Sequence, residues 1–471
     1  MLSQAVRLFA ARTVPPGHTY LGEVWGAFDL PPYFELIGEA GRGAWLLTDR
    51  QYGAVGSPHL LYTPYALLGQ LFAPTGWSPP AILEAGRWIS FPLMLAAAWL
   101  YVRASLPGRQ AAALGFFGAV FAGGLGFLFL GRPDTPLGRI IPLDVAGPTF
   151  TLLGALQMAP HVALAIAGLA VFFWGLLQSA AGRRRGLWGA AALAFTASFH
   201  GFVVPMALVA GAVFVAVAAR RRAALVNLGL AALLSAPFLA YLAWLRLTDP
   251  SIQGWQAVET ADLENPISIL VCRAVLLPFA LLGAWRGVRS RNQPLLLAFS
   301  WAAVALAFDL TPAFSTNALH RTLEGSSLPL AVLAADGLML LAGRWRLWLV
   351  ALASVSPAVQ LVAIALIGAF DPNSYLPSGD YQAMAWLREH GIAARVLVPS
   401  AETRWLAGLT LAVPVADGQA GSDLRALAAA DPDQRPAVLS AAGASYAIVP
   451  DESSQGLMIV AKFGRAALVE T

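Results

Sequence analysis

Five short connections in this chain carry arginine and no acid: Arg103 with Arg109; Arg183, Arg184 and Arg185; Arg220, Arg221 and Arg222; Arg286, Arg289 and Arg291; and Arg344 with Arg346. Around them run stretches of mostly apolar residues at 87–103, 111–130, 161–179, 187–200, 201–219, 223–245, 266–285, 294–310, 322–342 and 347–369. A bilayer core of about 30 Å is crossed by roughly 20 apolar residues in a helix. Short arginine-rich loops stay on the cytoplasmic side. The arginine loops fall at every second connection, as ten crossings require. Span length and charge are independent readings, and they give one scheme. The expected fold is an all-α polytopic membrane bundle of about ten transmembrane helices.

Composition supports this class. Of 471 residues, 58% are hydrophobic and 12% charged, and mean hydropathy is +0.65. Soluble domains are about 25% charged. So few charges could not cover a water-soluble chain of this length, which excludes soluble, disordered and collagen-like classes. The net charge of +4 does not require nucleic acid as a partner, because the arginines sit where the topology rule puts them. The lone cysteine, Cys272, excludes a disulfide framework and a cysteine-based metal cluster.

The segment 187–219 tests the scheme. One helix of that length would run about 50 Å at 1.5 Å per residue, too long for one span. Two crossings with a turn at His200-Gly201 put Arg185 and Arg220 on the same side. Everything long then falls on the other, external side: residues 1–86, loops 131–160, 246–265 and 311–321, and the tail from 371. His18, His59, His161, His200, His320 and His390 all fall on that side. At the start, Arg7 and Arg12 interrupt the apolar stretch, so no signal peptide is expected.

The domains expected are an external loop with amphipathic helices (1–86), a transmembrane domain (87–370) and a soluble extracytoplasmic α/β domain (371–471). Pro372, Pro377 and Gly379 mark the linker into the tail. An amphipathic helix is expected at 380–390, strands at 395–399, 446–450 and 457–462, and helices at 422–430 and 434–442.

Residues 18–65 mix aromatics, prolines and acids. Asp29 with Tyr33 is followed by Gly43-Ala-Trp45-Leu46 and by Tyr62-Thr-Pro64-Tyr65. Further along come Pro160-His161, His200-Gly-Phe-Val-Val-Pro205, and Arg321 ahead of Leu328-Pro-Leu-Ala-Val-Leu-Ala334. This arrangement resembles the polytopic glycosyltransferases of the GT-C superfamily in bacteria, over most of the chain. The resemblance implies a polyprenyl-phosphate-linked sugar donor, and a glycan, lipid or protein acceptor on the external face of the inner (cytoplasmic) membrane. It implies a hexosyl or pentosyl transfer, membrane lipids as surroundings and no nucleic acid. It also implies a membrane helix before the acidic loop, which this sequence is expected to lack.

Transfer from a lipid phosphate needs a base for the attacking hydroxyl and positive charge for the leaving phosphate. Asp29 is the candidate base, with Glu23 and Glu35 in reserve; each could equally be a solvated loop charge. Arg321 is the candidate phosphate ligand, since guanidinium pairs with phosphate oxygens; it could also anchor the interface. Arg273 lies inside a predicted span, where an ion is costly and faces a cavity or partner. Glu324 and Asp309 are its expected partners. His59, Tyr62 and His320 are candidate substrate contacts. His161 and His200 are expected to line a polar cavity. With Asp29 or Asp144 they could also hold a divalent metal, although their spacing forms no local motif. A non-catalytic scaffold with a degenerate version of the same fold is the rival reading. A transporter would need more mid-membrane charge than Arg273, Asp309 and Asp336 provide.

Overall fold

The computed structural model describes residues 7, 9–22, 30–48, 58–60, 62–131, 134–136, 138–147, 150–219, 221–249, 266–310, 323–370, 375–398, 406, 409–410, 413–414, 417–455 and 457–470. The chain forms two units: Met1–Gly86 with Asp249–Ser251 and Ile364–Thr471, and Arg87–Thr248 with Ile252–Ala363.

In chain order the helices of seven or more residues are α1 (Leu30–Gly41), α2 (Thr63–Phe72), α3 (Pro79–Ser105), α4 (Arg109–Phe121), α5 (Pro160–Ala180), α6 (Leu187–Ala197), α7 (Val203–Val217), α8 (Arg221–Thr248), α9 (Pro266–Arg273), α10 (Leu277–Ser290), α11 (Gln293–Asp309), α12 (Ser327–Leu338), α13 (Gly343–Ala353), α14 (Val355–Phe370), α15 (Ser378–Glu389), α16 (Asp417–Ala429) and α17 (Arg435–Ala441). The described arginines of these clusters lie at or beside joints between consecutive helices, and two of them meet carbonyls or acids of the neighbouring helix end. Arg346 donates to the carbonyls of Leu341 and Met339, each at 2.9 Å. Arg286 pairs with Asp336 at 3.0 Å. Proline at the first turn helps to start α5 and α11, and the Asn292 side chain caps α11 by accepting from the amide of Leu295.

Among the described residues, five helical segments are long and apolar enough to cross a membrane: Pro79–Ser105, Arg109–Phe129, Pro160–Ala180, Arg221–Thr248 and Gly343–Leu366. A sixth results if α9 and α10, bent by 85° at their junction, count as one. The stretch expected to be one straight span at 266–285 is therefore broken after Arg273. The stretch 187–219 does fold as two helices, α6 and α7, with the turn at His200-Gly201. The helix expected from 87 begins at Pro79.

The second unit is held by close backbone approach. A methyl on Gly283 would meet the Leu333 carbonyl, and one on Gly337 the Phe279 carbonyl, so α10 and α12 touch through hydrogen. Small residues do the same between α5 and α6 at Gly175 and Gly189. This is how apolar helices gain dispersion energy where no water drives them together.

In the first unit, α1 buries most of its length, including Glu35 and Glu39. It packs on α2 so tightly that a methyl on Gly69 would lie 2.6 Å from the Ile37 carbonyl oxygen. Strand β1 (His18–Tyr20) pairs antiparallel with β2 (Tyr375–Pro377). Thr19 and Ser378 join their hydroxyls across the pair at 3.0 Å. The first segment and the tail, read as separate domains, are thus tied within one unit.

The tail holds a five-stranded sheet in the order β4 (Val413–Pro414), β3 (Arg395–Leu397), β5 (Tyr446–Pro450), β7 (Ala466–Glu470), β6 (Met458–Phe463). The β3 strand is parallel to both neighbours; the other pairings are antiparallel. Leu397, Leu427, Leu439, Ala447, Val449 and Val469 form its core. The helix expected at 380–390 is α15, burying Ala383, Met384 and Leu387. Strands β4 and β7 were not expected.

Candidate functional site

Within the second unit, four chain segments bring polar side chains into an apolar interior. The first turn of α5 supplies His161, and the α6–α7 turn supplies His200. The segment entering α12 supplies Glu324 and Ser326, and the last residue of α9 is Arg273. His200 Nε2 and Glu324 Oε2 lie 2.6 Å apart, and each side chain is under 5% exposed. The His161 and His200 rings stand 5.4 Å apart. Arg273 donates from Nη2 to the Ser326 hydroxyl at 3.1 Å. Its guanidinium also lies 3.6 Å from the centre of the Phe150 ring, a cation–π contact strengthened by burial. Gly325, between the two anchor positions, has φ +75°, a left-handed conformation that glycine adopts without strain.

Glu324 is therefore the partner of His200, not of Arg273, and Asp309 does not pair with Arg273 either. The carboxylate whose charge reaches Arg273 is Asp144, from the loop after α4. Asp144 is fully buried. Its Oδ2 accepts from the amides of Gly124 at 2.7 Å and Gly126 at 3.3 Å. That geometry directs it to the backbone of the turn after α4. Among the described residues, no three His, Cys, Asp or Glu side chains stand close enough to hold a metal ion. Arg273 Nη1 and Asp144 Oδ1 are buried without a hydrogen-bond partner, so each retains unused bonding capacity in a dry setting, which is costly unless something uses it.

The first unit holds two further features. Tyr33, Tyr62 and Tyr65 form an aromatic group. Tyr33 stacks on Tyr65 at 4.7 Å and meets Tyr62 edge-on at 5.7 Å. Tyr62 takes φ 53° and ψ 51° at the start of α2, a left-handed conformation costly for a bulky side chain. Such strain persists only where surroundings impose it. His59, expected to touch substrate, is buried and lies 3.8 Å from Asp249. Glu35 is 2% exposed, and it opposes the downward shift that burial imposes on the Arg42 guanidinium, a shift to which Arg388 adds. Asp29, Glu23, Arg321 and His320 lie outside the described residues. Sequence reasoning did not foresee the bond between Glu324 and His200, nor the involvement of Ser326 and Phe150. Only the rarity of acids near predicted spans pointed toward Glu324.

No protein-family model matches the sequence, and no curated protein matches it at a significant level. Solved structures do match. ArnT from Cupriavidus metallidurans bound to undecaprenyl phosphate aligns over 99% of this chain and 97% of its own, with TM-score 0.56 and 12% identity. The arabinofuranosyltransferase AftD from Mycobacteria aligns over all of this chain with TM-score 0.59 and 13% identity. The chain has the GT-C fold. It spans 39% of AftD's length but nearly the whole of ArnT. The GT-C fold and the apolar helices together make it a multi-pass membrane protein. At these identities the GT-C likeness speaks for architecture, and function rests on the site.

Proposed function

We propose that this protein is an integral-membrane glycosyltransferase that moves a sugar from a polyprenyl-phosphate donor to a glycan, lipid or protein acceptor. The observation that carries the reading is the GT-C fold shared with ArnT over nearly the full length of both chains. The polar cluster buried in the second unit supports it, because a purely structural bundle gains nothing from an uncompensated guanidinium nitrogen in its interior.

In this reading the chain crosses the inner membrane ten times. The arginine turns are cytoplasmic, and residues 1–86 and the tail from 371 are extracytoplasmic. The acceptor hydroxyl attacks the anomeric carbon while the bond to the phosphate oxygen breaks. Asp29 takes the hydroxyl proton. Glu35, buried and acting on the Arg42 guanidinium through its charge, is better suited to support than to proton transfer, and Glu23 remains a reserve. Arg321 holds the departing phosphate, and Arg273 adds a second positive charge. His161 and His200 are the candidate donor contacts of the second unit, with His320 a further candidate, and Tyr62 and His59 are those of the first segment. The sugar is a hexose or a pentose.

The test is transfer by purified protein in detergent, followed by thin-layer separation, with radiolabelled polyprenyl-phosphate mannose, glucose and arabinofuranose. Wild type should transfer at least one sugar, and Asp29→Asn should lose about 10²-fold or more of the rate. Full activity in a folded Asp29→Asn protein would remove Asp29 from the mechanism. Transfer from no donor at all would favour the scaffold.

A further inference from the structure

His200 and Arg273 come from different helices, yet both are tied to one turn, Leu323–Ser327, at positions two residues apart. Arg273 supplies positive charge. The His200–Glu324 bond has a different chemical consequence.

With Glu324 as a carboxylate its oxygen accepts, and the donor in the bond is then His200 Nε2. A neutral imidazole carries one ring proton, and fixing it on Nε2 leaves Nδ1 as an acceptor. No described residue donates to Nδ1. Around the ring stand His161 from α5 and Phe202 from the α6–α7 turn, and the Arg246 guanidinium of α8 lies 4.5 Å from the centre of the Phe202 ring. Leu239 and Leu242 close the α8 side at Gly201. An oriented acceptor beside a second imidazole, within apolar walls, suits a hydroxyl group.

We infer that Glu324 is a positioning residue. It locks His200 in the Nε2–H tautomer, so that Nδ1 accepts a hydrogen bond from a hydroxyl of the transferred sugar and thereby sets donor specificity. The inference rests on the glycosyltransferase reading and deepens it, because it names the group that inspects the sugar. It adds no bond-making step: His200 holds the sugar while the acceptor attacks.

Two measurements test it, both on the full chain in detergent. The first is ¹⁵N NMR of histidine-labelled protein, with His200→Gln used to assign the signal. Wild type should show His200 as the Nε2–H form. Glu324→Gln keeps the side-chain shape but adds an amide donor, so it should populate the Nδ1–H form. The second is kinetics with short-chain polyprenyl-phosphate mannose, glucose and arabinofuranose and the monodeoxy analogues of each. Wild type should prefer one hydroxylated donor over one of its deoxy analogues by about tenfold or more, the effect of one buried hydrogen bond. Glu324→Gln and His200→Gln should both bring the ratio of kcat/KM for that donor over its deoxy analogue to near one. A His200 tautomer that is Nδ1–H in wild type overturns the inference. So does a deoxy preference left intact in Glu324→Gln. Failure of wild type to use any donor overturns the transferase reading itself, and the inference with it.

Discussion

Gly124→Ala should be among the most damaging single-methyl changes in this protein. A Cβ at position 124 would lie 2.5 Å from the Val271 carbonyl oxygen and 2.6 Å from that of Cys272, and would overlap the Cys272 carbonyl carbon. These are backbone atoms of α9, just before the 85° break, so no side chain can swing away. Three bonds hold the approach: the Leu125 amide to the Val271 carbonyl at 3.0 Å, Ser356 to the Gly124 carbonyl at 3.2 Å, and the Gly124 amide to Asp144 at 2.7 Å. Overpacking alone costs about 1–3 kcal/mol. Losing an amide bond to a buried carboxylate adds about 1.5–3 kcal/mol. Together these give about 2.5–6 kcal/mol, a fall in Tm of about 2.5–6 °C for a chain of 471 residues. Thermal unfolding followed by tryptophan fluorescence in detergent measures it. Gly229→Ala is the control, since nothing lies within 4 Å of that site in α8; it should be neutral or stabilising by up to about 1 kcal/mol. A Gly124→Ala protein unfolding within about two degrees of wild type would refute the claim that α9 docks on this turn through its backbone, because overpacking is otherwise unavoidable.

Further outcomes can be stated. Arg291, exposed at the end of α10, has φ 51°; Arg291→Gly should raise stability by about 0.5–1 kcal/mol in the same unfolding assay. Cys272 is fully buried, so maleimide should modify it only after denaturation. In a Cys272→Ser background, a cysteine placed at Asp29 should react with an impermeant maleimide in intact cells, and one at Arg184 should not; labelling of both from one side removes the proposed topology. Tyr446 bonds to Glu470 at 3.0 Å, and burial, that bond and the Glu470 charge all raise its phenol above the usual value. The folded state then holds the proton more tightly than the unfolded one. The stability this gives is complete below about pH 10 and drains as pH rises beyond it, so Tyr446→Phe should lose less stability than wild type across that range.

Much of the architecture could be read from the sequence, for physical reasons that differ by element. The arginine turns were legible because charge sits where helices must end. The α6–α7 turn was legible because 33 residues overfill a bilayer as one helix. The break after Arg273 was not, since residues 266–285, Arg273 apart, read as one apolar run and the α9 backbone at Val271 and Cys272 packs against Gly124, 147 residues earlier in the chain. Strand β7 was missed because Ala466-Ala-Leu-Val-Glu470 is short, and its conformation comes from pairing with β5 and β6 rather than from local preference. In the site, His161, His200 and Arg273 were legible as polar groups in apolar surroundings. Their partners were not: Glu324 lies 124 residues from His200, and no local spacing encodes that bond.

The pairing of β1 with β2 has a consequence for how the chain is made. Its hydroxyl link joins residues 359 positions apart, so the ribosome delivers one strand long before the other. Until residue 377 has emerged, the leading strand has no edge to join, while the helices between them are already being inserted. Closure of this clasp is therefore a late event in biogenesis, and a nascent chain arrested before position 375 would carry its opening segment unfastened.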